Sequence, residues 1–146
     1  MQIFYVHGKL PGYNDLAKKH WASSYREKRA AMHYVQLCIN QARIKPAECK
    51  QKISMVITDN TNRDADNIMS GTTKVILDAL TNCGIIKDDG PSNVEIGSVE
   101  LRRDKKAAYK IMVSMEDVAD DVKSDLNEAQ KLKIAGRAMI QGFMKG

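Results

Sequence analysis

The run Gln51-Lys52-Ile53-Ser54-Met55-Val56-Ile57-Thr58, with the polar stretch 59–67 and the run from Ile68 to Gly84, decides the fold. Apolar and polar residues alternate over 51–58, which predicts a strand with one buried face. Residues 59–67 are polar and read as a loop. Ile68, Thr72, Val75, Ile76, Ala79 and Cys83 then recur at helical spacing, and Gly84 is a natural C-terminal stop.

Upstream, residues 2–7 (QIFYVH) are β-rich, and Gly8-Lys9-Leu10-Pro11-Gly12 breaks them. Asp15 is placed to cap a helix over 16–43. Its apolar face is read as Trp21, Tyr25, Met32, Val35, Ile39 and Ala42, and Pro46 is read as its end. Lys18, Lys19, Arg26, Lys28 and Arg29 decorate the remaining surface. Downstream, 87–91 reads as a turn. Two strand-like runs, 94–103 and 107–115, are joined by Asp104-Lys105-Lys106 as a hairpin. From residue 116 the composition turns helical. The order β-α-β-α-β-β-α predicts an α/β (α+β) single domain over 1–146. It has a mixed sheet of about four strands packed with helices, a core over 1–115 and a C-terminal helical extension.

The chain has 146 residues and a net charge of +5, unevenly distributed. Residues 1–50 hold nine Lys/Arg against three Asp/Glu, 51–100 four against eight, and 101–146 ten against seven. Basic flanks attract a polyanion such as nucleic acid, whereas the acidic middle repels it unless cations intervene. A solvated mixed surface is the competing reading. The aromatic content of 5% argues against a base-stacking platform for single strands. Cys38, Cys49 and Cys83 and the three histidines are scattered, so no structural zinc set is expected. The odd cysteine count, with no signal-like N-terminus or long apolar run, predicts a cytoplasmic protein without membrane partners.

The acidic residues carry the chemistry. Arg63-Asp64-Ala65-Asp66-Asn67 follows a predicted strand, and in an extended segment residues i and i+2 point the same way. Asp64 and Asp66 would then present two carboxylates together, and a divalent cation relieves their repulsion. Mg²⁺ takes one or two protein carboxylates and leaves positions for water and phosphate, which suits phosphodiester hydrolysis. A polar loop or a helix N-cap explains the same residues without chemistry. A second pair, Asp88-Asp89, sits in the turn after the helix, where the topology can bring it to the same sheet edge as the first; it also reads as plain turn chemistry. Lys74 lies between the pairs, as a cation for the scissile phosphate or as a solvated lysine paired with Asp78 at i+4.

Taken in order, these residues resemble the RusA family of Holliday junction resolvases. The resemblance rests on Arg63-Asp64-Ala65-Asp66-Asn67, on Lys74 with the Leu77-Asp78-Ala79-Leu80 segment, and on Gly84-Ile85-Ile86 followed by Asp88-Asp89. Leu10-Pro11-Gly12-Tyr13-Asn14 is similar to the proline-containing loop of that family. The resemblance implies a homodimer that binds four-way junctions and cuts them symmetrically with Mg²⁺ or Mn²⁺, without a small-molecule cofactor. It implies Asp64, Asp66 and Asp89 as metal-binding carboxylates, Asp88 as a helper, Lys74 as the catalytic lysine, and Arg63 and Asn14 as DNA contacts. Lys18, Lys19, Arg26, Arg102, Arg103, Lys105 and Lys106 would hold backbone phosphates.

Two features depart from the family pattern. Residues 68–73 separate Asn67 from Lys74, four more than the family usually has. They either lengthen the helix, moving Lys74 by ~6 Å, or form a loop before it with Thr72 near the cap, which keeps Lys74 in place. The tail beyond the core is either a packing helix or extra contact surface. A non-cleaving DNA-structure binder of the same fold, or an unrelated Mg²⁺-dependent phosphotransferase or phosphatase, are the competing functions; the absence of a Gly-rich phosphate loop counts against the last.

Overall fold

The computed structural model describes residues 1–12 and 21–118, except the side chain of Trp21. Asn14, Lys18, Lys19, the proposed Asp15 cap and the predicted C-terminal helix lie outside the described residues. Met1–Glu116 forms one compact unit. The described elements are β1 (Gln2–His7), α1 (Trp21–Gln41), β2 (Gln51–Asp59), α2 (Ala65–Asn82), β3 (Val94–Arg103) and β4 (Lys110–Asp117). The result is an α+β fold with a mixed four-stranded sheet in the order β1-β4-β2-β3 and two helices.

β2 alternates as its sequence requires: Gln51, Ile53, Met55, Ile57 and Asp59 are buried, and the residues between them are half-buried. Phe4 and Val6 of β1 and Ile111, Val113 and Met115 of β4 are buried as well. They join Val35, Cys38 and Ile39 of α1 and Ile68, Val75, Ile76, Ala79 and Leu80 of α2 in one core. At about 1.5–3 kcal/mol per buried large aliphatic side chain, this cluster is the main stabilising term.

β3 pairs parallel to β2 from Gln51↔Val94 to Asp59↔Arg103, which completes a β-α-β unit. The hairpin expected between β3 and β4 does not form. Residues 104–109 instead pass over the end of β2: Asp104 N donates to Asp59 O (2.9 Å) and Asn60 Nδ2 to Ala107 O (3.0 Å). β4 then lies on the other flank of β2 and pairs antiparallel with β1. The reason is burial: β3 already holds one flank of β2, and the inward Ile111, Val113 and Met115 need a place inside the sheet.

The apolar face of α1 is shifted from the expected one. Tyr25 is exposed, Ala42 lies beyond the helix, and Ala31 and Met32 pack with Val35, Cys38 and Ile39. Pro46 does not end the helix. Arg43 does, with φ 55°, where Arg43 N donates to Asn40 O (3.1 Å) and Ile44 N to Ile39 O (3.3 Å). This is a Schellman cap with arginine in the left-handed position that favours glycine. α2 ends in the same way on Gly84, φ 74°, as its sequence predicts, with Ile85 N donating to Leu80 O (3.0 Å). Arg43→Gly should therefore stabilise the protein, and Gly84→Ala destabilise it, each by about 1 kcal/mol in urea unfolding.

α2 begins at Ala65, three residues before the predicted start, and runs unbroken through Ser70 and Gly71. The Ser70 hydroxyl donates back to the Asp66 carbonyl within the helix. Residues 68–73 thus lengthen the helix and do not form a loop before it.

Candidate functional site

Three loops meet at one edge of the sheet, at the carboxyl ends of β1, β2 and β3. They are 8–12, 60–64 and 104–109, joined by the bonds of Asp104 and Asn60 and by Gly8 N donating to Tyr109 O (3.0 Å). Loops at the carboxyl ends of parallel strands are the usual place for sites in such sheets.

The centre of this edge is Asp59, which is fully buried. Its Oδ1 accepts from Thr61 N (3.0 Å) and Thr61 Oγ1 (2.6 Å). Its Oδ2 lies 3.2 Å from Arg103 Nη1 in an ion pair, but the angle does not make a hydrogen bond. Arg103 also donates to Thr61 O (3.2 Å) and Arg63 O (2.6 Å). It thus holds the 60–64 loop, with 41% of its side chain still exposed. Sequence reading placed Asp59 in a polar loop and gave it no role. The signal was its place as the fifth residue of the inward series 51, 53, 55, 57, 59, with Arg103 opposite in register.

Arg63 is likewise turned into the fold. Its Nη1 donates to Leu10 O (3.0 Å) and its Nη2 to Tyr109 Oη (3.0 Å), with the guanidinium 5.7 Å from the Tyr109 ring centroid. Burial pushes the Tyr109 phenol up, Asp59 adds to this, and Arg63 and Arg103 oppose it. Gly12 lies so close to Asn67 that a Cβ there would collide with the Asn67 amide. The structure therefore brings the 8–12 loop against Arg63 and Asn67.

Asp64 and Asp66 stand on this platform. Asp64 is the N-cap residue of α2, with φ −62° and ψ 139°, yet its side chain makes no capping hydrogen bond. Asp66 lies in the first helical turn, and both residues are exposed. The strand rule for i and i+2 does not apply to them, because helix begins between them; what joins them is the helix N-terminus, whose partial positive charge favours carboxylates. Uncapped, solvent-facing carboxylates fit the one or two that Mg²⁺ takes from protein. Among the described residues no group of three His, Cys, Asp or Glu is assembled for a metal.

Asp88 and Asp89 do not join them. They precede β3, whose start is tied to the start of β2 by Gln51 N donating to Asn93 O (3.0 Å). The acidic pairs thus occupy opposite ends of the parallel strands, and α2, ~27 Å long at ~1.5 Å per residue, runs between them. The expectation of a shared sheet edge fails because one helix carries the chain the full length of the strands. Asp88 Oδ1 accepts from Gly90 N (2.7 Å) and Asn93 Nδ2 (2.9 Å), which with nearby Lys87 holds its carboxyl below the usual range. That is the geometry of a turn.

Lys74 lies eight residues beyond Asp66, ~12 Å along the helix axis. Its Nζ is 3.4 Å from Asp78 Oδ1, and Asp78 Oδ2 is 2.7 Å from Lys28 Nζ. The i+4 pairing with Asp78 is therefore present. On the family resemblance, which implies cutting, Lys74→Ala should change the rate by less than about threefold in single-turnover assays, against the roughly hundredfold expected for a charge-stabilising donor.

Lys105 and Lys106 are exposed in the loop beside Arg103, at the same edge as Asp64 and Asp66. Arg102 is exposed on β3 and paired with Glu100 at 2.6 Å. Cys38, Cys49 and Cys83 form no disulfide. Among the described residues no helix is long and apolar enough to cross a membrane. No family model matches the chain, and no curated protein matches it.

Proposed function

We propose that the chain is a metal-dependent endodeoxyribonuclease that resolves four-way DNA junctions in recombination and repair, acting as a homodimer. The observation that carries this reading is the pair Asp64 and Asp66, both exposed at the start of α2 and the first making no cap hydrogen bond, beside the contacts of Arg103 with Asp59 and the Arg63 carbonyl. Asp64 and Asp66 would hold Mg²⁺ or Mn²⁺, which when bound supplies an activated water and neutralises charge on the phosphate. Arg103 and Asp59 fix the loop that carries the carboxylates. Lys105 and Lys106 offer backbone phosphate contacts, which position DNA without reading its sequence. Asp89 would belong to the same metal centre only if a second copy brought it there.

A second reading, a binder of DNA structure without cleavage, is favoured by the pairing of Lys74 with Asp78 and by the separation of the acidic pairs. Incubation with a labelled four-way junction, in Mg²⁺ or chelator, separates the two. The nuclease cuts in Mg²⁺ alone, whereas the binder shifts the junction in both and cuts in neither.

A further inference from the structure

The groove between the two helices is lined by Tyr25, Lys28, Arg29 and Met32 of α1 and by Asp78, Thr81 and Asn82 of α2, around a concavity of about 320 Å³. Two contacts fix the alignment. Lys28 pairs with Asp78, and Asn82 Nδ2 reaches Met32 Sδ at 3.6 Å, so both helices advance in the same direction. Charge is concentrated here. Lys28, Arg29 and Lys74 stand around a single lining carboxylate, Asp78, which bridges the two lysines. Arg29 is held in place: its Nη1 donates to Tyr25 Oη (3.0 Å) and its guanidinium lies 6.0 Å from the Tyr25 ring centroid. A fixed guanidinium beside ammonium groups suits phosphate oxygens.

We propose that this groove is a second DNA-backbone site, in which Lys28, Arg29 and Lys74 hold phosphates of a strand that runs along α2 from the carboxylate edge. The proposal rests on the nuclease reading for its choice of DNA as the polyanion. The geometry supplies the direction. α2 begins at Asp64 and Asp66 and carries Lys74 ~12 Å further on, at the rim of the groove, so a short strand segment spans both. The longer helix thus places the lysine among phosphate ligands, away from the carboxylates. Asp78 tempers the site: it draws on Lys28 and Lys74 and limits how tightly the groove grips.

The test is equilibrium binding of a synthetic four-way junction, and of a linear duplex of the same composition, in chelator over a series of salt concentrations. Each phosphate contact contributes about 0.9 to the slope of log affinity against log salt. Lys28→Gln combined with Arg29→Gln should flatten that slope by about 1.8 on both DNAs and weaken binding at least about tenfold. Asp78→Asn should do the reverse, with tighter binding and a steeper slope, a gain that a misfolded protein cannot produce. Unchanged slopes in both variants, weaker binding by Asp78→Asn, or a wild-type protein that binds neither DNA would overturn the proposal. Cutting is read separately. A wild-type protein that cuts while the groove variants keep their slope removes the groove alone. One that binds through the groove and never cuts removes the nuclease reading alone.

Discussion

On the proposed nuclease reading, Asp64→Asn and Asp66→Asn should each abolish metal-dependent cutting of a four-way junction, a loss of at least about a hundredfold, while junction binding should stay equal or tighten. The size follows from the several kcal/mol of transition-state charge stabilisation that a bound metal supplies. An amide is a much poorer ligand for a hard cation than a carboxylate. The sign of the binding change follows from electrostatics: each substitution removes a negative charge facing a polyanion. Stability should barely move. Both residues are exposed, Asp64 makes no side-chain cap, and asparagine is as good an N-cap as aspartate. Parallel measurement of cutting rate, junction affinity and melting temperature checks all three. A variant that cuts at the wild-type rate removes its carboxylate from the site.

Asp59→Ala has the largest expected effect on the fold. The carboxylate is fully buried, and its loss strips Thr61 of two hydrogen bonds and Arg103 of its counter-ion. Breaking a buried pair by deleting one partner costs about 3–5 kcal/mol. Arg103, at 41% side-chain exposure, can take up water, so the lower end, about 3 kcal/mol, is expected in urea unfolding. Asp59→Asn should cost less, because its amide oxygen still accepts from Thr61. Arg103→Leu and Asp59→Ala combined should cost less than the sum of the two single losses, since the two residues act as one unit. Additive losses would mean that the pair is uncoupled. Because Arg103 also holds the Thr61 and Arg63 carbonyls, the folded fraction of Asp59→Ala should show slower cutting at saturating DNA.

The same buried pair shows where the sequence was legible and where it was not. β2, the length of β3 and the glycine stop of α2 were readable because each rests on a local rule: alternation for a strand, a left-handed residue at a helix end. Arg43 ends α1 by the same rule, but arginine carries no signal for that conformation, so Pro46 was read as the stop. The β3–β4 hairpin was misread because sequence adjacency favours it, whereas the inward Ile111, Val113 and Met115 require a place on the other flank of β2. At the site, Asp64 and Asp66 were singled out as a strand pair, but helix begins between them, so their spacing does not set their geometry. Asp59 was hidden, because a polar residue at a strand end looks like loop until its register with Arg103 is known. The separation of the acidic pairs was hidden too, since it follows from β3 running parallel to β2, a pairing that no local rule shows.

The central claim, that Asp64 and Asp66 serve a junction-resolving nuclease, is tested most directly by mapping cuts on a four-way junction labelled in turn on each strand. Paired nicks are expected at symmetric positions on opposing strands, present with Mg²⁺, absent with chelator, absent on a linear duplex and absent with Asp64→Asn. Equal cutting of the linear duplex, or the same nicks from the Asp64→Asn protein, would contradict it.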